Sequence, residues 1–245
     1  MNEKIPEILR QIETVVVGKN EIVEKILMAI LAGGHVLMED VPGVGKTTMA
    51  LAFSKALDLS YSRIQFTPDV LPSDITGYSI PDTQTGGLRY QPGAVLTNLF
   101  LADELNRATS RTQSALLEAM EEGQVTVDGV SHPIPSPFIV IATQNPVGAA
   151  GTQLLPDSQM DRFMIRLSLG YPEPADEVTM VLNRQEGNPL QSLMPIVTRE
   201  QLIALQDTVE RTFISDTVVS YIVRLVGATR NDAEIARGAS PRATL

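Results

Sequence analysis

The sequence contains no cysteine and no tryptophan, and only two histidines. Without cysteine there are no disulfides and no thiolate metal sites. Aromatic residues make up 4% of the chain, so a platform for stacking nucleic-acid bases has little to be built from. An excess of basic charge is also missing: 19 Lys and Arg stand against 29 Asp and Glu, a net charge of −10. That disfavours a broad nucleic-acid footprint, which shows as a basic domain, while leaving a local basic channel open. No apolar run approaches the roughly 18 residues that suggest a membrane helix. The N-terminus, Met1-Asn2-Glu3-Lys4-Ile5-Pro6, lacks the pattern of a signal peptide. The expectation is a soluble cytoplasmic protein. Hydrophobic residues at 43% and charged residues at 20% of 245 suffice for a packed core in one large domain or two smaller ones.

What is present centres on the stretch from Val36 to Thr48. An apolar run, Val36-Leu37-Met38, reads as a strand, and Pro42-Gly43-Val44-Gly45 reads as a turn. Lys46-Thr47-Thr48 then opens a helical pattern that runs from Met49 to Leu57. Strand, glycine-rich loop and helix form the context of a phosphate-binding loop. Glycines let successive N–H groups converge on an anion, and the helix start adds its positive dipole end. Lys46 is expected to reach the β- and γ-phosphates of a nucleotide, and the Thr47 hydroxyl to bind Mg²⁺. The general pattern asks for glycine where this chain has Asp40.

Elsewhere the pattern alternates. Helical stripes run over Ile5–Thr14 and from about Asn20 to Leu31, with Val15-Val16-Val17-Gly18 expected extended between them. Strands are expected at Tyr61–Phe66, Asn98–Ala102, Phe138–Ala142 and Met164–Leu169, and a helix at Thr112–Glu122. Gly77–Pro92 and Gly123–Pro135 read as hairpins, the second turning on Asp128-Gly129. Apolar strands alternating with helices imply a mostly parallel sheet covered on both faces. After Tyr171-Pro172-Glu173-Pro174 only helices are expected, at Asp176–Glu186, Thr198–Thr212 and Ser215–Thr229. Thr198-Arg199-Glu200-Gln201 fits a capping box. The domain expectation is therefore an α/β core over 1–172 and a small helical domain over 173–245.

Two acids, Asp103 and Glu104, close the apolar strand that precedes them. Ligands of open α/β sheets sit beyond such carboxyl ends. Asp103 is expected to hold Mg²⁺, and Glu104 to polarise an attacking water. Asn145 ends the neighbouring strand and suits an amide that orients that water, with Thr143 as its nearest competitor. Arg162, in Asp161-Arg162-Phe163, is a candidate for stabilising charge that develops on a γ-phosphate; its bland reading is a salt bridge within the chain. Arg242, at a helix start in the second domain, could reach the phosphates from there. His35 and His132 read as structural.

In this order the motifs resemble those of the AAA+ ATPases. The loop through Thr47 resembles Walker A, and Leu99–Glu104 resembles Walker B. Asn145 then resembles the first sensor, Arg162 the arginine finger and Arg242 the second sensor. More narrowly, the chain resembles the MoxR family, through Glu39–Gly43, Gln65–Asp69, Pro72–Gly77, Asp103–Ala108, Ala142–Pro146 and Ser240–Arg242. The resemblance implies an AAA+ core with a mostly parallel five-stranded sheet and an all-α lid. It implies ATP and Mg²⁺ as ligands, held by Pro42, Gly43, Val44, Gly45, Lys46, Thr47 and Thr48, with Val16, Val17 and Gly18 lining the adenine pocket. It also implies hydrolysis of ATP, a hexameric ring and chaperone-like remodelling of client proteins. Partners with von Willebrand factor A domains would help such a protein mature enzymes or insert metal cofactors. Family chains usually continue past the second sensor, so an incomplete lid is expected here. A metal-chelatase motor subunit and a nucleic-acid-stimulated motor share the architecture and are the alternatives.

Overall fold

The structure, a computed structural model, describes residues 3–39, 43–83, 86–145 and 155–244. The chain opens with two helices, α1 (Lys4–Glu13) and α2 (Asn20–Leu31). It then alternates through β1 (Val36–Glu39), α3 (Lys46–Ala56) and β2 (Tyr61–Gln65). A short helix, α4 (Pro72–Thr76), and a hairpin of β3 (Gly77–Pro81) and β4 (Leu88–Pro92) interrupt the alternation before β5 (Leu99–Asp103). Next come α5 (Ser110–Glu122), a second hairpin of β6 (Gln124–Val127) and β7 (Val130–Pro133), and β8 (Ile139–Gln144). α6 (Asp157–Met160) leads to β9 (Ile165–Leu167). The α-helices that follow are α7 (Pro174–Glu186), the short α8 (Pro189–Ser192), α9 (Arg199–Glu210) and α10 (Asp216–Thr229).

Five strands form one parallel sheet in the order β2-β5-β8-β1-β9. The central strands β5 and β8 are buried at every residue, while the edge strands β2 and β9 are not. This is why their sequences run apolar without alternation. The period of two reappears in the faces. Val36, Met38, Leu99, Leu101, Ile139 and Ile141 pack into one hydrophobic cluster with α1, α2 and α3. Leu37, Phe100, Ala102, Val140 and Ala142 pack into a second cluster with α5 and the segment around Phe66 and Ile75. Helices on both faces satisfy both sets.

The helical C-terminal part joins the first cluster through Leu193, Val197, Leu202 and Leu205. The Gln206 side chain also donates to the Ile30 carbonyl at 2.7 Å. α9 starts with the expected capping box: Thr198 Oγ1 accepts from Gln201 N–H, and Gln201 Oε1 accepts from Thr198 N–H. By contrast α10 buries none of its residues, although Val219, Tyr221 and Leu225 are apolar or aromatic. Val15–Gly18, expected extended, instead forms a turn. The Val15 and Val16 N–H groups both donate back to Ile12 O and close the end of α1. The hairpin of β6 and β7 turns on Asp128 and Gly129, both at positive φ of 49° and 79°, the conformation that an Asp-Gly hairpin turn requires. Residues 84–85 of the other hairpin turn lie outside the described residues.

Candidate active site

β1 lies between β8 and β9, and its carboxyl end opens into the glycine loop. Pro42 lies outside the described residues. Gly43 and Gly45 sit at φ 90° and 95°. A Cβ at either would meet nothing within 4 Å, so the need for glycine there is conformational rather than spatial. Gly45 caps α3 and has no side chain to satisfy the first N–H groups of the helix. A glycine cap at a helix start is the arrangement an anion site uses. Lys46 is the first residue of α3 and only 7% exposed.

The acids come from β5, two strands away. Asp103 is 8% exposed, and both its oxygens are engaged. Oδ1 accepts from the Thr143 hydroxyl at 2.7 Å, and Oδ2 accepts from Arg63 Nη2 at 2.7 Å. Glu104 leaves the strand at φ 58°, a left-handed conformation uncommon for a non-glycine residue. Its N–H donates to Thr143 Oγ1 at 2.8 Å. The Thr143 hydroxyl thus donates to the carboxylate of one acid and accepts from the backbone of the other, bracing both. Asn145 follows β8, the strand between the loop and the acids. Its Nδ2 donates to Glu104 Oε1 at 3.2 Å, while Arg107 Nη1 donates to Oε2 at 2.6 Å.

Partial burial of Glu104 raises its pKa, but bonds from Arg107 and Asn145, the Arg107 charge and a bond from Gln65 outweigh that. The carboxyl is held below its ordinary range and is ionised at neutral pH. The Asn145 Oδ1 atom is buried and has no hydrogen-bond partner among the described residues.

Loop and acids meet in a cleft of about 340 Å³. Gly43, Gly45, Lys46, Thr47 and Thr48 form one side and Asp103 and Glu104 the other, with Arg63 and Gln65 from β2 beside the acids. A second recess, of about 80 Å³ and mostly apolar, adjoins it. Val16, Val17, Val44 and Thr48 line it together with Pro172 and Met180. Gly18 packs elsewhere: a Cβ there would fall 1.9 Å from Asp176 Oδ2.

The two arginines lie at the opposite end of the sheet. Arg162 Nε and Nη2 donate to Glu121 Oε2 at 3.0 and 2.9 Å, and Arg242 Nη2 donates to Glu121 Oε1. They line a cavity of about 530 Å³ with Gly34, His35 and Met164. His35 and Met164 directly precede β1 and β9, so this is the amino end of parallel strands. Arg242, expected to reach back to the phosphates, is instead held by Glu121 beside Arg162. A second ion pair, Arg237 with Asp157, fastens the same C-terminal segment to α6.

Both histidines have structural surroundings. His35 Nδ1 accepts from Val140 N–H at 3.0 Å, and its Nε2 lies 3.3 Å from the Met120 carbonyl. Burial lowers its pKa to about 4. His132 stacks on Tyr90 with ring centroids 3.6 Å apart, joining the two hairpins.

The donor set suits a magnesium nucleotide. Thr47 and the Asp103 carboxylate share the cleft, and a cationic group already rests against Asp103 Oδ2. Among the described residues there is no cluster of three His, Cys, Asp or Glu, so the fit is to an ion that takes its other ligands from phosphate and water. No described helix is long and apolar enough to cross a membrane.

Sequence reasoning gave no role to Arg63, Gln65, Asn106 or Arg107, although all but Arg63 lie in segments that carry the family resemblance. Asn106 braces Asn145 from both sides: its Oδ1 accepts from Asn145 N–H at 3.3 Å, and its Nδ2 donates to Asn145 O at 3.2 Å. The available signal was position. Asn106 and Arg107 directly follow the acids, and Arg63 and Gln65 close a strand that ends beside them.

Comparison with known proteins agrees with this geometry. A model of the ATPase family associated with various cellular activities (AAA) matches residues 35–165. The YeaC protein of Bacillus subtilis is 46% identical over 97% of this chain and 74% of its own length. Chaperone MoxR1 of Mycobacterium tuberculosis is 41% identical over 96% of this chain and 64% of its own length. The crystal structure of a Cytophaga hutchinsonii protein matches with a TM-score of 0.89 at 39% identity, covering 99% of this chain and 76% of that one. The chain thus spans only part of the length of each relative. With the loop, the acid pair and the sheet order all in place, the chain belongs to the MoxR family of AAA+ ATPases.

Proposed function

We propose that the chain binds and hydrolyses ATP and uses the cycle to remodel partner proteins. The observation that carries this reading is the single cleft that joins Lys46 and Thr47 to Asp103 and Glu104, with Asn145 bonded to the Glu104 carboxylate. In this account Lys46 and the amides of Gly43–Thr48 hold the phosphates. The apolar recess beside Val16 and Val17 takes the base. Gly18 lets the turn approach Asp176 closely. Thr47 and Asp103 would hold Mg²⁺, which when bound neutralises phosphate charge. Glu104, kept ionised by its neighbours, polarises the water, and Asn145 orients it from the other side.

Arg162 and Arg242 sit too far from their own cleft to take part there, and they share one exposed face with Glu121. They would act on the nucleotide of a neighbouring subunit, which fits a ring, a hexamer by family resemblance. The chaperone-like role, the partners with von Willebrand factor A domains, metal-cofactor insertion and the cytoplasmic location follow from the MoxR resemblance. Chaperone MoxR1 is the relative whose name supports the first of these.

The test is Glu104→Gln. It is expected to keep ATP affinity while turnover falls about 10²–10⁴-fold, the range for a positioned acid–base group. Turnover equal to wild type would remove Glu104 from its role. An ATP-trapped Glu104→Gln ring is also the bait with which to isolate the client.

A further inference from the structure

Neither the motifs nor the comparisons assign a role to Arg63, yet it makes the closest charged contact to the candidate metal ligand. Its Nη2 lies 2.7 Å from Asp103 Oδ2, and the other Asp103 oxygen is taken by the Thr143 hydroxyl. Buried carboxylates are found paired with cations or bonded by several donors. The strand register shows how far Arg63 reaches. Gln65, not Arg63, stands opposite Asp103, and Arg63 stands opposite Leu101. The arginine side chain therefore runs along the sheet for two residues before meeting the carboxylate. It is 39% exposed and lines the same cleft as Lys46 and Thr47.

We propose that Arg63 is an exchangeable cation of the nucleotide site: it holds Asp103 before nucleotide binds, yields it to the divalent ion, and then turns to the terminal phosphate. This rests on the nucleotide-binding reading of the cleft. A divalent ion on Asp103 would stand beside the guanidinium, and two cations cannot share Oδ2 without strong repulsion. The arginine must leave, and the nearest new anion within the cleft is the outermost phosphate. A guanidinium has five donors in a planar fork and pairs with phosphate bidentately. The bonds from Nη2 to Asp103 and Gln65 use only one of its nitrogens. The long, half-exposed stem supplies the movement. Arg63 would thus read the difference between ATP and ADP from within its own chain, as the paired arginines at the far end do for a neighbour.

The experiment compares wild type, Arg63→Gln and Arg63→Lys by equilibrium binding of fluorescent ATP and ADP, each titrated with Mg²⁺ from an EDTA-treated start. For Arg63→Gln, ATP affinity at saturating Mg²⁺ is expected to fall about tenfold or more, as for loss of a charge-assisted bond, while ADP affinity stays within about twofold. The Mg²⁺ concentration for half-maximal ADP binding is expected to fall as well, because no resident cation has to be displaced. Arg63→Lys keeps the charge and loses the fork, so it should lie between the two and serves as the test should the glutamine variant not fold. An unchanged ATP-to-ADP affinity ratio, or an Mg²⁺ midpoint that does not fall in Arg63→Gln, overturns the proposal. If the wild type itself binds neither nucleotide, the reading of the cleft fails first, and the two failures are told apart.

Discussion

The two ends of the sheet handle charge in opposite ways. At the carboxyl end, Asp103 and Glu104 are mostly buried, and each is bonded by residues of its own chain from β2, β8 and the turn after β5. At the amino end, Arg162 and Arg242 share one carboxylate, Glu121, that is itself 40% exposed. The first arrangement is held by bonds within its own chain, since bonded buried polar groups resist rearrangement, and its exchangeable member is the half-exposed Arg63. The second is a surface cluster in which screened ion pairs hold little, and it is free to exchange Glu121 for a stronger anion. On the proposed reading, one end is built as a site and the other as a half-site.

The largest effect should come from the half-site. Arg162→Ala is expected to lower turnover about 10³–10⁵-fold, the range for an arginine finger, with nucleotide affinity unchanged. Mixing it with Lys46→Ala subunits should restore part of the activity, because each supplies what the other lacks. No recovery on mixing would deny Arg162 a role in a neighbouring subunit's site and erase the contrast.

A stability effect comes next, from the lining of the amino-end cavity. His35 is buried with its pKa lowered from 6.5 to about 4, so between those values the unfolded chain binds the extra proton. Stability is then complete above about pH 6.5, declines as the pH falls toward 4, and levels off below it. The loss is about 3 kcal/mol. Urea midpoints at pH 7 and 4.5, compared with those of His35→Gln, should show this component vanish in the variant. An unchanged pH slope would mean that the histidine is not held neutral by burial.

A smaller effect should come from the bracing of the built site. Asn106→Ala removes both bonds to Asn145 and leaves its backbone groups unpaired. A destabilisation of about 1–3 kcal/mol is expected, seen as a lower urea midpoint, and it should be absent from a matched substitution at exposed Gln185 on α7. A neutral Asn106→Ala would mean that the carboxyl end holds together with less bracing than the comparison assumes.

The contrast also marks what could be read from sequence. The loop, the acids and the strands were legible because their chemistry is local: apolar runs of strand length, a glycine turn into Lys46, acids at a strand end. The parallel sheet, both hairpins and the capping box at Thr198 follow from the same local rules. The bracing was not legible, because Arg63, Thr143 and Asn106 act across strands whose order no short window reveals. The turn at Val15–Gly18 was misjudged for a related reason: three valines favour a strand in isolation, but the end of α1 draws the N–H groups of Val15 and Val16 back onto Ile12. The position of Arg242 depends on how the C-terminal segment folds back, which periodicity does not encode.

Everything above turns on the cleft between Lys46 and the acid pair taking up a magnesium nucleotide. The most direct measurement is the thermal midpoint of the wild type and of Lys46→Ala with and without Mg-ATP. At a hundredfold excess over Kd the wild type should gain about 2.7 kcal/mol, a rise of several degrees, and Lys46→Ala should gain none. A wild-type midpoint that Mg-ATP does not move, or an equal rise in both proteins, would contradict the account.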